Sequence, residues 1–263
     1  MRDNPLKARL LGGGHAFGVM AFEFFTPGLP AIVRSAGAEF LLLDMEHSGV
    51  GFETIKAQIA LCRGIDLVPM ARVPAAEYHF IARLLDLGAL GVMVPMVETA
   101  EQAAFIVACT RYPLHGRRGS AFGVVAHDDY AEGDVVSKMI AANARALVMC
   151  LIETAKGLQN VDAIAAVPGV DVLWLGHADL TSFMGIPGQF DHPDYVAAVD
   201  KIVAACRTHS KIPAFLAPNA QWGRDYLAKG FRLLAYGHDV GLLQGALREG
   251  LDGMRAAAAK LAK

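Results

Sequence analysis

Glu153 closes the apolar run RALVMCLIET, and Asp179 follows the apolar run VDVLWLGHADL. Two carboxylates at neighbouring strand ends, with little other charge beside them, make an incomplete shell of hard oxygens. Such a shell suits Mg2+ or Mn2+ and leaves positions for substrate oxygens. Taken singly, each is better read as an N-cap, because both precede helical segments.

His47 stands beside Asp44 and Glu46 at the end of EFLLLDMEH. Its ordinary pKa lies near neutrality, so it can act as a general base if a carboxylate holds its other ring nitrogen, and a structural role fits equally well. Arg72 ends the run DLVPMAR, where an unpaired guanidinium is costly and must meet an anion, either a structural carboxylate or a substrate oxygen. Asp86, among apolar neighbours in IARLLDLGALG, needs a partner; raising the basicity of His47 and pairing with Arg83 are the two candidates. His177 is read as a hydrogen-bonding loop residue and is left out of the metal set.

Eight short apolar runs carry these residues, beginning at Phe17, Glu39, Asp66, Ala89, Arg145, Val170, Ile212 and Phe231. Each is nearly continuous, as a parallel strand covered on both faces should be. Helical spacing follows over Thr54 to Cys62, Ala76 to Leu87, Thr99 to Cys109, Gly157 to Ala166, Tyr195 to Thr208 and Ala220 to Lys229. Strand then helix, eight times over, predicts one closed α/β (β/α)8 TIM barrel over residues 1–263, with its chemistry at the C-terminal ends of the strands. The charged residues cluster at those ends.

The chain has 263 residues, 54% of them hydrophobic, and a formal net charge of −2, which supports one large core and gives no basic stripe for nucleic acid. Its four cysteines show no paired spacing, which fits a reducing compartment. With neither a signal-peptide pattern nor a span of about 20 apolar residues, a cytoplasmic protein without membrane association is expected. The stretch from Arg111 to Asp134 is long and rich in Gly, Arg and His, and it reads as a functional loop. The tail GALREGLDGMRAAAAKLAK reads as an amphipathic helix whose apolar face must pack on its own barrel or on a neighbouring subunit.

Together, LLLDMEHSG, VPMARVP, GALGVMVPMVETAEQA, RYPLHGRRG, LIETAKGLQNVDAI and GVDVLWLGHADLTSFMG resemble the HpcH/HpaI aldolase family across nearly the whole chain. The resemblance implies a phosphoenolpyruvate/pyruvate-binding barrel and a class II, metal-dependent pyruvate aldolase using Mg2+, Mn2+ or Co2+. It also implies a homo-hexamer, a trimer of dimers, with the last helix packed across a subunit interface. By position it makes Glu153 and Asp179 the metal ligands, His47 the base, Asp44 and Asp86 its supporting acids, and Arg72 the stabiliser of an oxyanion. The backbone at Gly176, Ala178 and Asp179 would receive the substrate carboxylate, a role that N–H groups opening a helix can fill.

The sequence departs from the family pattern at Leu151, where Gln is frequent, and at His177 and Leu114, where Pro is frequent. The implied reaction is reversible cleavage of 4-hydroxy-2-oxo acids to pyruvate, or a related 2-oxo acid, and an aldehyde, as in sugar-acid or aromatic catabolism. No lysine falls at a strand end, which argues against a Schiff-base aldolase. The rivals are an acyl-CoA lyase of the citrate lyase beta or malyl-CoA lyase type, with Arg117 and Arg118 as weak cationic candidates, a non-catalytic oxo-acid-binding barrel, and a structural protein whose charges only cap helices.

Overall fold

The computed structural model describes residues 1–261. The eight strands are β1 (Ala16–Ala21), β2 (Phe40–Asp44), β3 (Val68–Arg72), β4 (Gly91–Val94), β5 (Leu147–Ile152), β6 (Val172–Leu175), β7 (Ile212–Ala217) and β8 (Leu233–His238). All pairings are parallel, and the strands close in chain order into a barrel. All eight apolar runs became strands, as the (β/α)8 reading required.

Strict alternation inside the strands builds two apolar layers. Phe40, Leu42, Val68, Met70, Leu147, Met149, Leu151, Val172 and Trp174 fill the interior. Leu41, Leu43, Ala71, Val148, Cys150, Ile152, Leu173 and Leu175 pack outward beneath the helices. Burying a side chain such as Phe40 contributes about 1.5–3 kcal/mol, so a slip of one residue would cost many such burials at once. The same parity turns Asp44, Arg72, Glu153 and Gly176 inward, one layer above the last apolar ring. Gly18 makes the tight interior possible, because a Cβ there would lie 2.3 Å from the Phe40 carbonyl oxygen.

The outer ring contains α2 (Leu29–Ser35), α3 (Phe52–Leu61), α4 (Tyr78–Asp86), α5 (Ala100–Thr110), α6 (Val135–Arg145), α7 (Ala155–Gln159), α8 (Val161–Ala166), α9 (His177–Phe183), α10 (Pro193–Thr208) and α11 (Ala220–Lys229). The segment expected as one helix from Gly157 to Ala166 is two, divided at Asn160. A short helix at the N-terminus, α1 (Pro5–Leu11), plugs the floor of the barrel with Leu6 and Leu10. Its Lys7 donates to Asp171 at 2.9 Å and to the Ala146 carbonyl at 2.7 Å.

The last helix, α12 (Asp239–Leu261), is hydrogen-bonded to the barrel at its first turn. Asp239 accepts N–H bonds from Phe22, Glu23 and Phe24 at 2.7–3.0 Å, whereas residues 242–261 are exposed along the whole helix. Between α12 and α2 lies a slot of about 490 Å³ lined by Val19, Ala21, Leu29, Ile32, Leu41 and Leu243. Among the described residues, this slot leaves the outer face of β1 partly open, and the helix that follows β8 presents an exposed apolar face. Among the described residues, no helix is long and apolar enough to cross a membrane.

Candidate active site

The mouth of the barrel holds a cavity of about 180 Å³. His47, Arg72, Glu153, Gly176, His177, Ala178 and Asp179 contribute to its rim, and Met20, Phe22, Met93, Leu151, Trp174 and Leu216 form its apolar floor and walls. The expected metal pair, the arginine and the histidine thus share one cavity. No lysine lines it.

On β2 and β3 the register sets Asp44 directly opposite Arg72. Asp44 Oδ1 accepts from Arg72 Nε at 2.5 Å, and its Oδ2 accepts the backbone N–H of His47 at 2.7 Å. Glu46 completes the clamp, with Oε2 2.9 Å from Arg72 Nη1. Asp44 therefore holds the guanidinium by a hydrogen bond and Glu46 by charge, and Arg72 faces the cavity. The His47 side chain is 58% exposed, with Nε2 3.8 Å from Glu46. Burial and the nearby acids Asp44 and Asp179 push the Glu46 carboxyl upward, against Arg72 and His47. The sequence reading gave Glu46 no role; its signal was its position two residues beyond Asp44, within the same strand-end cluster.

Glu153, one residue beyond β5, is 3% exposed, and its Oε1 accepts the N–H of Met96 at 2.7 Å. It is not a helix cap, since Thr154 fills that place on α7 by accepting from Gly157 at 2.9 Å. Burial, reinforced by Glu46 and Asp179, raises the Glu153 carboxyl to about 7. Gly176 leaves the space it occupies: a Cβ there would lie 2.6 Å from the Glu153 Cβ and 2.8 Å from Oε2. Asp179 is exposed in the first turn of α9. A buried acid raised by two neighbouring acids, with one oxygen tied down and the other facing the cavity, fits a hard divalent cation. Among the described residues, no group of three or more His, Cys, Asp or Glu is arranged to hold a metal ion.

Three expectations change in detail. The N–H of Gly176 is used by the Ile152 carbonyl at 3.1 Å, as the β5–β6 ladder requires, so Ala178 and Asp179 are left to supply backbone donors to a carboxylate. Asp86 does not meet His47 within the chain, because it ends α4 at the face where the strands begin, opposite the mouth. Its carboxylate accepts instead from Arg118 Nη2 at 2.6 Å, while Arg83, the other candidate, lies over the Phe52 ring. The stretch from Arg111 to Asp134 contributes no residue to the mouth cavity. Arg118 is buried against Tyr112 and Arg117 rests on Phe105 and Tyr78, so neither offers a cation to a coenzyme A phosphate there.

Glu98 is also spent structurally, accepting from Thr154 at 3.0 Å and Lys156 at 3.1 Å. The His177 ring packs against Phe190, Phe215 and Trp222, and burial pushes it down to about 4, so it is neutral near pH 7.

The family model described as HpcH/HpaI aldolase/citrate lyase matches residues 22–246. The chain belongs to this family. The 5-keto-4-deoxy-D-glucarate aldolase of Klebsiella pneumoniae is 36% identical over 224 residues, which are 85% of this chain and 86% of that protein. The HpcH/HpaI aldolase of Desulfitobacterium hafniense superposes with a TM-score of 0.91 at 27% identity, covering 97% of each chain. An HpcH/HpaI aldolase/citrate lyase family protein of Burkholderia cenocepacia superposes with a TM-score of 0.89 at 32% identity, covering 96% of this chain and 99% of that one. As an HpcH/HpaI family member, the chain is a carbon–carbon lyase of the aldolase kind.

Proposed function

We propose that this aldolase cleaves 4-hydroxy-2-oxo acids to pyruvate, or a closely related 2-oxo acid, and an aldehyde, with a divalent cation held by Glu153 and Asp179. One observation carries the reading: an arginine paired with two carboxylates and a pair of acids that, among the described residues, form no ion pair line the same small cavity at the barrel mouth. A bound Mg2+, Mn2+ or Co2+ would supply Lewis acidity toward the donor's carboxylate and 2-oxo oxygens.

The chain's own groups supply the rest. The N–H groups of Ala178 and Asp179 receive the donor carboxylate at the start of α9. Arg72 donates to oxygen as negative charge develops there, and its ties to Asp44 and Glu46 keep it aimed without reorganisation. His47, at the rim, serves the proton of the 4-hydroxyl, directly or through water. As that proton leaves, the carbonyl of the aldehyde forms, the bond between carbons 3 and 4 breaks, and its electron pair moves into the donor as an enolate. A proton then returns to carbon 3 to give the 2-oxo acid.

The same reading includes assembly. The slot between α2 and α12 and the exposed Leu243, Leu247, Leu251 and Met254 on α12 are complementary apolar surfaces. They support a homo-oligomer in which α12 crosses to a second copy, consistent with a trimer of dimers.

The test is pyruvate release from a 4-hydroxy-2-oxo acid with Mg2+ or Mn2+, its loss in EDTA and its return on adding metal. Metal-independent cleavage, or borohydride trapping of substrate on a lysine, would sink the proposal.

A further inference from the structure

A second chamber, of about 600 Å³, adjoins the mouth cavity and shares His177 and Leu216 with it. It runs along the end of β8 and the first turns of α12, where Tyr236, His238 and Glu249 supply its other polar groups. The mouth holds the groups that act on the donor, so a molecule adding to or leaving carbon 3 has this chamber as its neighbouring space.

The chamber's hydrogen-bonding character follows from local geometry. The Gly241 N–H donates to His238 Nδ1 at 3.2 Å, which places the proton of a neutral ring on Nε2 and makes that nitrogen a donor. A Cβ at residue 241 would lie 3.0 Å from Nε2, so glycine keeps that nitrogen uncovered. The far side of the same ring meets Phe22 edge-on at 5.4 Å, and Phe22 belongs to the mouth. Tyr236 can donate or accept, and Glu249 accepts. Among the described residues, no lysine or arginine lines the chamber, and Arg72, in the mouth, is already held between Asp44 and Glu46.

We propose that this chamber seats the aldehyde half of the substrate and selects a neutral, hydroxyl-bearing chain over one that ends in a carboxylate. Hydroxyls both donate and accept, matching a set made of an imidazole N–H, a phenol and a carboxylate; a terminal carboxylate would meet Glu249 with no cation to offset the repulsion. The inference rests on the aldolase reading above. It sets this chain apart from its relative named for a glucarate, a sugar acid with a carboxylate at each end.

The experiment compares kcat/KM for two six-carbon 4-hydroxy-2-oxo acids, one ending in a hydroxymethyl group and the other oxidised to a carboxylate at that end. Pyruvate release is followed in Mn2+ buffer. Deuterium exchange into the methyl group of pyruvate, which needs no aldehyde, is the reference for every variant. The neutral substrate should be favoured at least tenfold. Glu249→Arg should shrink that ratio by tenfold or more, and His238→Phe should raise KM for the neutral substrate. Equal use of both substrates, preference for the diacid, or an unchanged ratio in Glu249→Arg would overturn the proposal while leaving the aldolase intact. Absence of both cleavage and exchange would instead overturn the aldolase reading, and this inference with it.

Discussion

Asp44 and Arg72 face each other across the β2–β3 ladder with 2.5 Å between Oδ1 and Nε, and the Asp44 side chain is fully buried. The same carboxylate holds the N–H of His47, so one acid positions both groups proposed as oxyanion donor and base. Replacing it by alanine removes the hydrogen-bonded partner of a buried guanidinium and leaves Glu46 alone against it, which costs about 1–3 kcal/mol of stability. Asp44→Asn should keep the fold better yet lower kcat about 100-fold, as expected when a developing charge loses a fixed donor. Thermal unfolding together with kcat separates the two effects; full activity in Asp44→Asn would refute the positioning role.

The raised carboxyl of Glu153 fixes the sign of a pH effect. Its pKa of about 7 in the fold lies above the ordinary 4.5, so the folded chain holds a proton that the unfolded chain has released between those values. Without metal, this group's contribution favours folding at low pH and is lost as pH rises from 4.5 through 7. Proton and cation compete for the same oxygens, so Mn2+ affinity should fall about tenfold per pH unit below 7. Calorimetric titration at pH 6 and pH 8 checks this, and equal affinities would contradict it.

Gly176→Ala adds one carbon where the Glu153 side chain already stands, 2.6 and 2.8 Å from two of its atoms. The carboxylate must turn or the strand must shift. Metal affinity should drop by about 10–100-fold, as when a ligand's supporting contacts are disturbed, while circular dichroism stays that of a folded barrel. Unaltered Mn2+ binding would show that Glu153 does not hold the ion.

A paired substitution on α12, Leu247→Asp with Leu251→Asp, touches residues that are 53% and 41% exposed and face no part of their own barrel. The monomer fold should persist. Light scattering should report a smaller assembly than the parent, and an unchanged mass would rule out this helix as the joining surface.

Much of the fold was readable because its causes are local. The eight apolar runs and their alternation fix the strand parity, and parity brings Arg72 and Glu153 to one cavity with Asp44 buried behind Arg72. Asp86 was not readable in this way. Its partner Arg118 arrives from a long irregular loop, and no periodicity tells which face such a loop covers. The N–H of Gly176 was misassigned because its ladder bond to Ile152 depends on strand register, and Glu46 was passed over because its ion pair with Arg72 needs the same register. The short floor helix α1 was missed because two turns give too few apolar positions to show a period.

Met96, after β4, adopts φ 54 with no glycine to ease it, and its N–H is the one that reaches Glu153. A side chain in that conformation costs on the order of 1–2 kcal/mol. Tertiary folding bears that cost before any ion or oxo acid arrives. One oxygen of the proposed ligand Glu153 is thus held in advance by a loop from a different strand, and slackening Met96 to glycine would trade that readiness for a small rise in thermal tolerance.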